Sequence, residues 1–523
     1  VLLFRAMTPD PATPCAPSAR PYLLAATILA SSMAFIDGIV VNVALPAIQA
    51  QFHTGFGVLQ WVVNGYALVL GALILMGGVL GDRYGRRRIF ISGIVLFTLA
   101  SIGCALAPAA GALIAARVLQ GLGGALLVPQ SLAIIAAAYP KDVRGRAVGI
   151  WAAAAALTTV SGPILGGIFI DVLSWRAVFW INLPLAVIAV GLTLRFVPES
   201  HGAVRGATDW LGGFLVTAGL ALVIYSVSEL PEAHTGRGLL TGLLVAGVLT
   251  LAGFVFHESR SRVPLVPLSI FRSRVFSATN GITVGLYFAL SVVFFLLPYT
   301  LIQVHGYSGL QAGTALIPFG LVMGLLSPLA SKLGERWGLR ATLSSGAGLV
   351  TAGCAAFAVV ETLGTVDYWT GYLPALLLLA IGMTISVAPL TTAVLSSVSD
   401  GESGVASGIN NAISRIAGVA AVAAAGLISL VSFPYYLGHR LADAGIDAGV
   451  RAALLADASR LAALRAPDQV PAQTAQLLRG LVLDAYVGSY RTGMAVAAIA
   501  AIAAMAIALR YLPARVTPGL LRK

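Results

Sequence analysis

LGDRYG at residues 80–85 returns as LGERWG at 333–338, with acid, Arg, aromatic and Gly in register at an offset of 253 residues. LPAIQAQFH at 45–53 and LPYTLIQVH at 297–305 share Leu, Pro, Gln and His at an offset of 252. Two separate matches with nearly one offset predict an internal duplication. The surroundings of both copies are apolar. Of the 523 residues 58% are hydrophobic and 10% charged, against roughly 45 to 50% and about 25% in soluble domains. Mean hydropathy is +0.92, too high for one anchor on a water-soluble enzyme. The lipid bilayer is therefore the expected solvent.

A crossing helix needs about 20 mostly apolar residues. Such runs lie near 22–46, 57–80, 88–107, 111–136, 145–170, 175–197, 209–229, 238–256, 276–302, 309–330, 339–360, 370–396, 404–436 and 493–512. They predict an all-α membrane protein of fourteen spans. Spans 1 to 6 pair with 9 to 14, and spans 7 and 8 are inserted between the halves. Both copies of LG[DE]R[YW]G fall on one side, so the halves are parallel repeats related about the membrane normal. The expected organisation is a tail at 1–21, a six-helix bundle at 22–197, and a linker with two spans at 198–275. A second six-helix bundle follows at 276–512, with a long loop at about 437–492, and then a tail at 513–523. Residues 1–20 lack the apolar core of a cleavable signal peptide, so the first run is expected to remain as a span.

The formal charge is +12, but the basic residues sit in short clusters between apolar runs rather than on a polar module, which argues against nucleic acid as a partner. With the N-terminus inside, the short outer loops keep only Arg176 and Arg237, while Arg83, Arg86, Arg87, Arg88, Arg144, Arg146, Arg336 and others fall inside. That asymmetry follows the positive-inside rule and puts both termini in the cytoplasm. The loop near 437–492 is also basic, but long loops translocate largely regardless of charge. Within it Val450, Leu454, Leu461 and Leu464 recur at helical spacing, which predicts an amphipathic helix lying on the outer surface. Cys15, Cys104 and Cys354 have no metal-ligand spacing. No metal and no cofactor is expected.

Asp37, in FIDGIVVNVALP, is the only acid deep within a span, roughly 13 Å below its outer end. Arg117 enters span 4 from the same side and lies about 9 Å deep, close enough in depth to meet it. An Arg inside a span points to function by default. Gln120, Gly121 and Gly124 share its helix face. Phe35, Asn42, Trp61, Asn64 and Tyr66 bring aromatic and amide groups that suit an apolar cavity beside Asp37. In GVLGDRYGRRR (78–88), Gly85 allows a tight turn of positive φ. Asp82 stands at a helix C-terminus, where the macrodipole disfavours an anion. A partner is expected for it, and Arg144 and Arg146 of the next inner loop are the expected ones. The matching acid in the second half is Glu335, followed by Arg336. GPILGG, with Gly162, Pro163, Gly166 and Gly167, suits close helix approach and a kink.

Taken in order, FIDGIVVNVALP, GVLGDRYGRRR, RVLQGLGGAL (117–126), GPILGG and SWRAVFWINLP (174–184) resemble the fourteen-span drug:proton antiporters of the major facilitator superfamily, the EmrB/QacA type. GLQAGTALIPFG (309–320) and SGINNAISRIAG (407–418) extend the resemblance into the second half. It implies proton-driven export of lipophilic compounds, with no cofactor beyond the proton gradient. It assigns Asp37 and Arg117 to proton coupling. Gly78, Asp82, Arg83, Gly85, Arg86 and Arg87 would form a cytoplasmic gate, and Gly162, Pro163, Gly166 and Gly167 the antiporter motif. One departure is that span 10 has no acid and span 13 carries Asn410, Asn411 and Arg415, which argues against divalent cations as cargo. A lone Asp37 carboxylate can be neutralised by a proton or one positive charge, so neutral or monocationic amphipathic compounds are the expected cargo. A monomer in the plasma membrane would suffice. The alternatives are a dedicated exporter of one product, such as an antibiotic, lipid or siderophore, and a membrane sensor. The sequence contains no Walker loop, no HExxH and no soluble catalytic module, so an enzyme is not expected.

Overall fold

The computed structural model describes residues 15–201, 209–229, 236–362, 367–398, 403–467 and 470–513. The helices in chain order are α1 (Arg20–Phe52), α2 (Phe56–Tyr84), α3 (Arg86–Leu106), α4 (Ala110–Ala138), α5 (Lys141–Val172), the single turn α6 (Ala177–Trp180), α7 (Asn182–Phe196), α8 (Trp210–Glu229), α9 (Arg237–Arg260), α10 (Arg274–Gln303), the short α11 (Gly309–Thr314), α12 (Ile317–Trp337), α13 (Leu339–Val360), α14 (Leu373–Ser396), α15 (Ser403–Asp443), α16 (Ala448–Ala456) and α17 (Ala472–Tyr511). There is no strand among the described residues. Thirteen helical segments among them are long and apolar enough to cross a bilayer. Within α5, 32 residues long, Ser161–Val172 is an apolar stretch shorter than a full crossing.

The duplication is visible as repeated packing. In the first half α2 and α3 pack on α4, α1 on α5 and α7, and α3 on α7. In the second half α12 and α13 pack on α14, α10 on α15 and α17, and α13 on α17. The seams between the halves repeat as well, α2 against α15 and α5 against α12. Such a symmetric pair of six-helix bundles buries one helix stripe per partner and leaves the opposite stripe to lipid. The inserted helices α8 and α9 pack on each other, and α8 also touches α2 and α15 at one seam. Equivalent caps complete the repeat. Gly85 (φ 107°) and Gly338 (φ 79°) both end a helix in a positive-φ conformation, which a β-carbon would disfavour.

The segment expected as a loop at 437–492 is shorter. Helix α15 continues to Asp443 and α17 begins at Ala472. Its 41 residues make α15 roughly 60 Å long, about twice the hydrocarbon thickness. Arg440, Asp443 and Arg479 lower the local hydropathy without ending the helices, because polar turns beyond the lipid stay hydrated. The intervening residues form α16 and a 3-10 turn at Ala458–Ala463, with Asp447 capping the amides of Gly449 and Val450. The expected surface helix is corrected here too: Leu454, Leu461 and Leu464 are buried against the bundle. Their apolar stripe covers protein, not lipid. This segment is called the cap, and its end of the molecule the cap end. The opposite end carries Gly85.

Candidate functional site

Asp37 of α1 and Arg117 of α4 form an ion pair with 0% and 1% side-chain exposure. Isolated charges at such depth are costly, and full pairing offsets the cost only when the remaining hydrogen-bond capacity is also met. Here it is met. Gln120 Nε2 donates to Asp37 Oδ1 at 2.8 Å, Arg117 Nη1 donates to Gln120 Oε1 at 2.7 Å, and Arg117 Nε donates to the Val62 carbonyl at 2.9 Å. Gln120 sits one turn from Arg117, which is why one helix face can hold both ends of the pair. The Tyr66 ring lies 4.4 Å from the guanidinium carbon, and its hydroxyl donates to the Ala34 carbonyl at 3.0 Å. The shell continues through Ser101, whose hydroxyl accepts from Asn182 Nδ2 at 2.8 Å.

Glycines make this proximity possible. A β-carbon on Gly121 would sit 2.5 Å from the Tyr66 carbonyl, so α2 and α4 touch backbone to backbone.

Between the halves lies a cavity of about 390 Å³. Phe35, Asn42, Asn64, Tyr66 and Arg117 line it from the first half, and Tyr287, Phe294, Phe319, Asn411 and Arg415 from the second. Asn64 is fully buried, and among the described residues neither its amide oxygen nor its nitrogen has a partner; the Asn42 amide oxygen also lacks one. Buried amides normally find partners, so these side chains have hydrogen-bonding capacity to spare at the cavity wall. Asp37 and Gln120 are not in the lining; they stand behind Arg117. Trp61 was expected in the cavity and is elsewhere. Its indole Nε1 donates to Glu229 Oε1 of α8 at 3.2 Å, and its ring packs 5.9 Å from Tyr225. The inserted pair claims that face of α2. Arg415, read in the sequence only as a departure from pattern, is a lining residue.

At the Gly85 end, Asp82 is paired within its own motif. Arg86 reaches back one turn to Asp82 at 2.7 Å and donates to the Ala133 carbonyl at 3.3 Å. The side chains of Arg144 and Arg146, proposed as partners of Asp82, and that of Glu335, lie outside the described residues. Arg336 is exposed. Glu199, not singled out in the sequence, organises the turn: its Oε1 accepts from the Arg87 amide at 3.0 Å, and a β-carbon on Gly85 would lie 2.7 Å from its carboxylate. Arg87 Nη2 donates to the Leu194 carbonyl at 2.8 Å. Arg83 lies over the Tyr84 ring. Gly78 faces Pro129 with ordinary contact.

The GPILGG stretch of α5 faces two neighbours. Gly162 lies over Ile36 of α1, and a β-carbon on Gly166 would stand 2.5 Å from Val40. Gly167 and the Pro163 carbonyl meet the second half, at Leu310 and Gly313 of α11. Asp171 finishes this seam. Its two carboxylate oxygens accept the amides of Gly309 at 3.0 Å and Leu310 at 2.8 Å. Also at the cap end, Phe56 packs 5.3 Å from Phe295, Tyr299 donates to Gln49 Oε1 at 2.8 Å, and Gln49 Nε2 donates to the Arg460 carbonyl of the cap at 3.3 Å. These contacts join the two halves across the cap end of the cavity.

Residues 27–422 match the family model described as Major Facilitator Superfamily. The multidrug resistance protein Stp of Mycobacterium tuberculosis (strain CDC 1551 / Oshkosh) is 35% identical over 74% of this chain and 72% of its own length. The lincomycin resistance protein of Streptomyces lincolnensis is 35% identical over 82% and 90%. The tetracenomycin C resistance and export protein of Streptomyces glaucescens is 29% identical over 94% and 91%. Among solved structures, a bacterial homolog to the human lysosomal transporter Spinster, inward-facing and unoccupied, superposes with a TM-score of 0.68 at 18% identity, covering 96% of this chain and all of that one; at that identity the likeness speaks for the fold. With the repeated bundles, the central cavity and these matches together, the chain belongs to the Major Facilitator Superfamily and is a transport protein rather than an enzyme.

Proposed function

We propose that the chain is a proton-coupled exporter of lipophilic compounds across the plasma membrane, with the Gly85 end and both termini in the cytoplasm. The observation that carries it is the buried Asp37–Arg117 pair with its guanidinium facing the cavity and its carboxylate behind. A carboxylate that meets Arg117 in one conformation and loses it in the other releases a proton in the first and captures one in the second. That alternation links proton flow to the two states of the transporter. The relatives named for multidrug and lincomycin resistance support export as the direction. The contacts that join the halves at the cap end support reading this conformation as closed to the outside.

Counting α5 as a crossing helix makes fourteen, with α8 and α9 as the inserted pair. Residues 22–197 and 276–512 are then the two moving halves. The gate role stays with the Gly78–Arg87 turn, held by Glu199, and the antiporter role with Gly162, Pro163, Gly166 and Gly167 at the seam.

The test is uptake of a fluorescent lipophilic compound into inverted vesicles energised by an imposed proton gradient. Uptake should collapse with an uncoupler and in Asp37→Asn at equal protein level. Uptake that persists in Asp37→Asn with the same proton dependence overturns the coupling assignment. A second reading, one dedicated product, is favoured by the relative named for tetracenomycin C resistance and export. A panel of unrelated compounds separates the two, since a dedicated exporter moves one of them.

A further inference from the structure

The charged groups that line the cavity are both cationic, Arg117 and Arg415, and no carboxylate is among the lining residues. Arg117 is already neutralised by Asp37. Arg415 is not. It makes no ion pair or hydrogen bond with any described residue, and the ionisable side chains that act on its charge are the phenols of Tyr66 and Tyr287. Its β-carbon packs on Gly71 of α2, 3.2 Å from where a β-carbon of that glycine would stand. Residue 415 is thereby fixed at the α2–α15 seam, with its head group in the cavity. A guanidinium in an apolar, aromatic chamber is electrostatically unfinished, because a low-dielectric surround strengthens its attraction for an anion and penalises a second cation.

Lining the same cavity are Phe294, Phe319 and Tyr287, which offer flat apolar surface, the amide of Asn64, which has neither donor nor acceptor engaged by a described residue, and the free amide oxygen of Asn42. We propose that Arg415 is a substrate-binding residue and that the preferred cargo is a planar aromatic compound bearing one acidic group, a carboxylate or an ionised phenol. Its ring system stacks on the aromatic wall while its anionic oxygen accepts from the guanidinium. This rests on the export reading for the word cargo, but not for the binding itself. It also moves the cargo's charge away from the monocationic class that an accessible Asp37 would favour, since that carboxylate is withheld behind Arg117.

The experiment uses the purified full chain and three probes of one shape: 9-anthracenecarboxylate, 9-anthracenemethanol and 9-anthracenemethylamine. Binding is read by equilibrium dialysis against empty micelles, at a pH where the first is anionic and the last cationic, and with no proton gradient. The carboxylate should bind about tenfold more tightly than the alcohol, the size expected of one charge-assisted hydrogen-bonded contact. Arg415→Gln should remove that preference and leave alcohol binding unchanged; Arg415→Lys should keep part of it. Tightest binding of the amine, a carboxylate preference that survives Arg415→Gln, or no binding of any probe by protein that elutes as a single species overturns the proposal. Loss of proton-driven uptake in vesicles with the binding order intact would instead count against the exporter reading, so the two failures are distinct.

Discussion

Gly313 of α11 lies directly under the carbonyl of Pro163 in α5, so close that any β-carbon there would overlap it. The glycine has no side chain to stand between them, so the backbone of one half rests on the bare backbone of the other. Gly313→Leu should wedge this seam apart at a cost of about 1–3 kcal/mol. The expected result is a shift towards a state open at the cap end, measured as faster modification of a cysteine placed at Asn64. Unchanged reactivity in a folded variant would show that the seam does not limit opening.

The Asp37–Arg117 pair makes a paired-mutant prediction. Asp37→Asn leaves a buried guanidinium without its counter-ion and should lower stability by roughly 3–5 kcal/mol. Adding Arg117→Gln removes the orphaned charge, so the double variant should melt closer to the parent than the single does. Proton-driven uptake should be absent from both. A double variant as unstable as Asp37→Asn alone would mean that packing, not charge, dominates at this site.

Trp61 and Asn64 stand on one helix and should behave differently. Trp61→Phe loses the hydrogen bond to Glu229, about 0.5–1.5 kcal/mol, and should loosen the contact between α2 and α8 without altering the affinity for bound compounds. Asn64→Ala should alter affinity. Equal effects on affinity would put Trp61 back in the cavity.

Asp82 and Arg86 are neighbours on a partly exposed turn, where an ion pair contributes at most about 1 kcal/mol. Their role is therefore tested by rate rather than by melting. Asp82→Asn and Arg86→Gln should each slow transport while leaving equilibrium binding of compound unchanged, and the double variant should be no slower than the worse single one. Additive slowing would show that Asp82 acts through another partner.

Orientation can be read chemically. In a chain freed of Cys15, Cys104 and Cys354, Ala456→Cys should react with an impermeant thiol reagent in intact cells, and Arg336→Cys only after lysis. Labelling of position 336 in intact cells would reverse the membrane sides.

The sequence disclosed what depends on distance along the chain. Asp37 and Arg117 could be matched because the rise per residue converts position into depth, and the repeat was legible because both copies kept their Gly and Pro punctuation. It hid what depends on rotation about a helix axis. Trp61 and Asn64 look alike in sequence, and only the presence of α8 against α2 decides that one faces a neighbour and the other the cavity. Arg415 was visible as a residue, but its aim is set by how α15 turns on Gly71. Hydropathy also misjudged the ends of α15 and α17, because a helix that leaves the lipid keeps its hydrogen bonds while its side chains become polar. Glu199 gave no signal beyond being an acid just after Arg195.

The carbonyl of Arg460 belongs to the second half, yet it is held by Gln49 of the first; Arg479 Nη2 meanwhile donates to the Gln303 carbonyl at 3.2 Å and its Nη1 to the Ala462 carbonyl. The cap is thus a clasp fastened to both halves. If the two halves part at this end during transport, the Gln49 contact must open while the Arg479 contacts, which lie within the second half, can stay, and the rate of opening would then depend on residues that the cargo does not touch. Two transporters with the same cavity and different clasps would recognise the same compounds and clear them at different speeds.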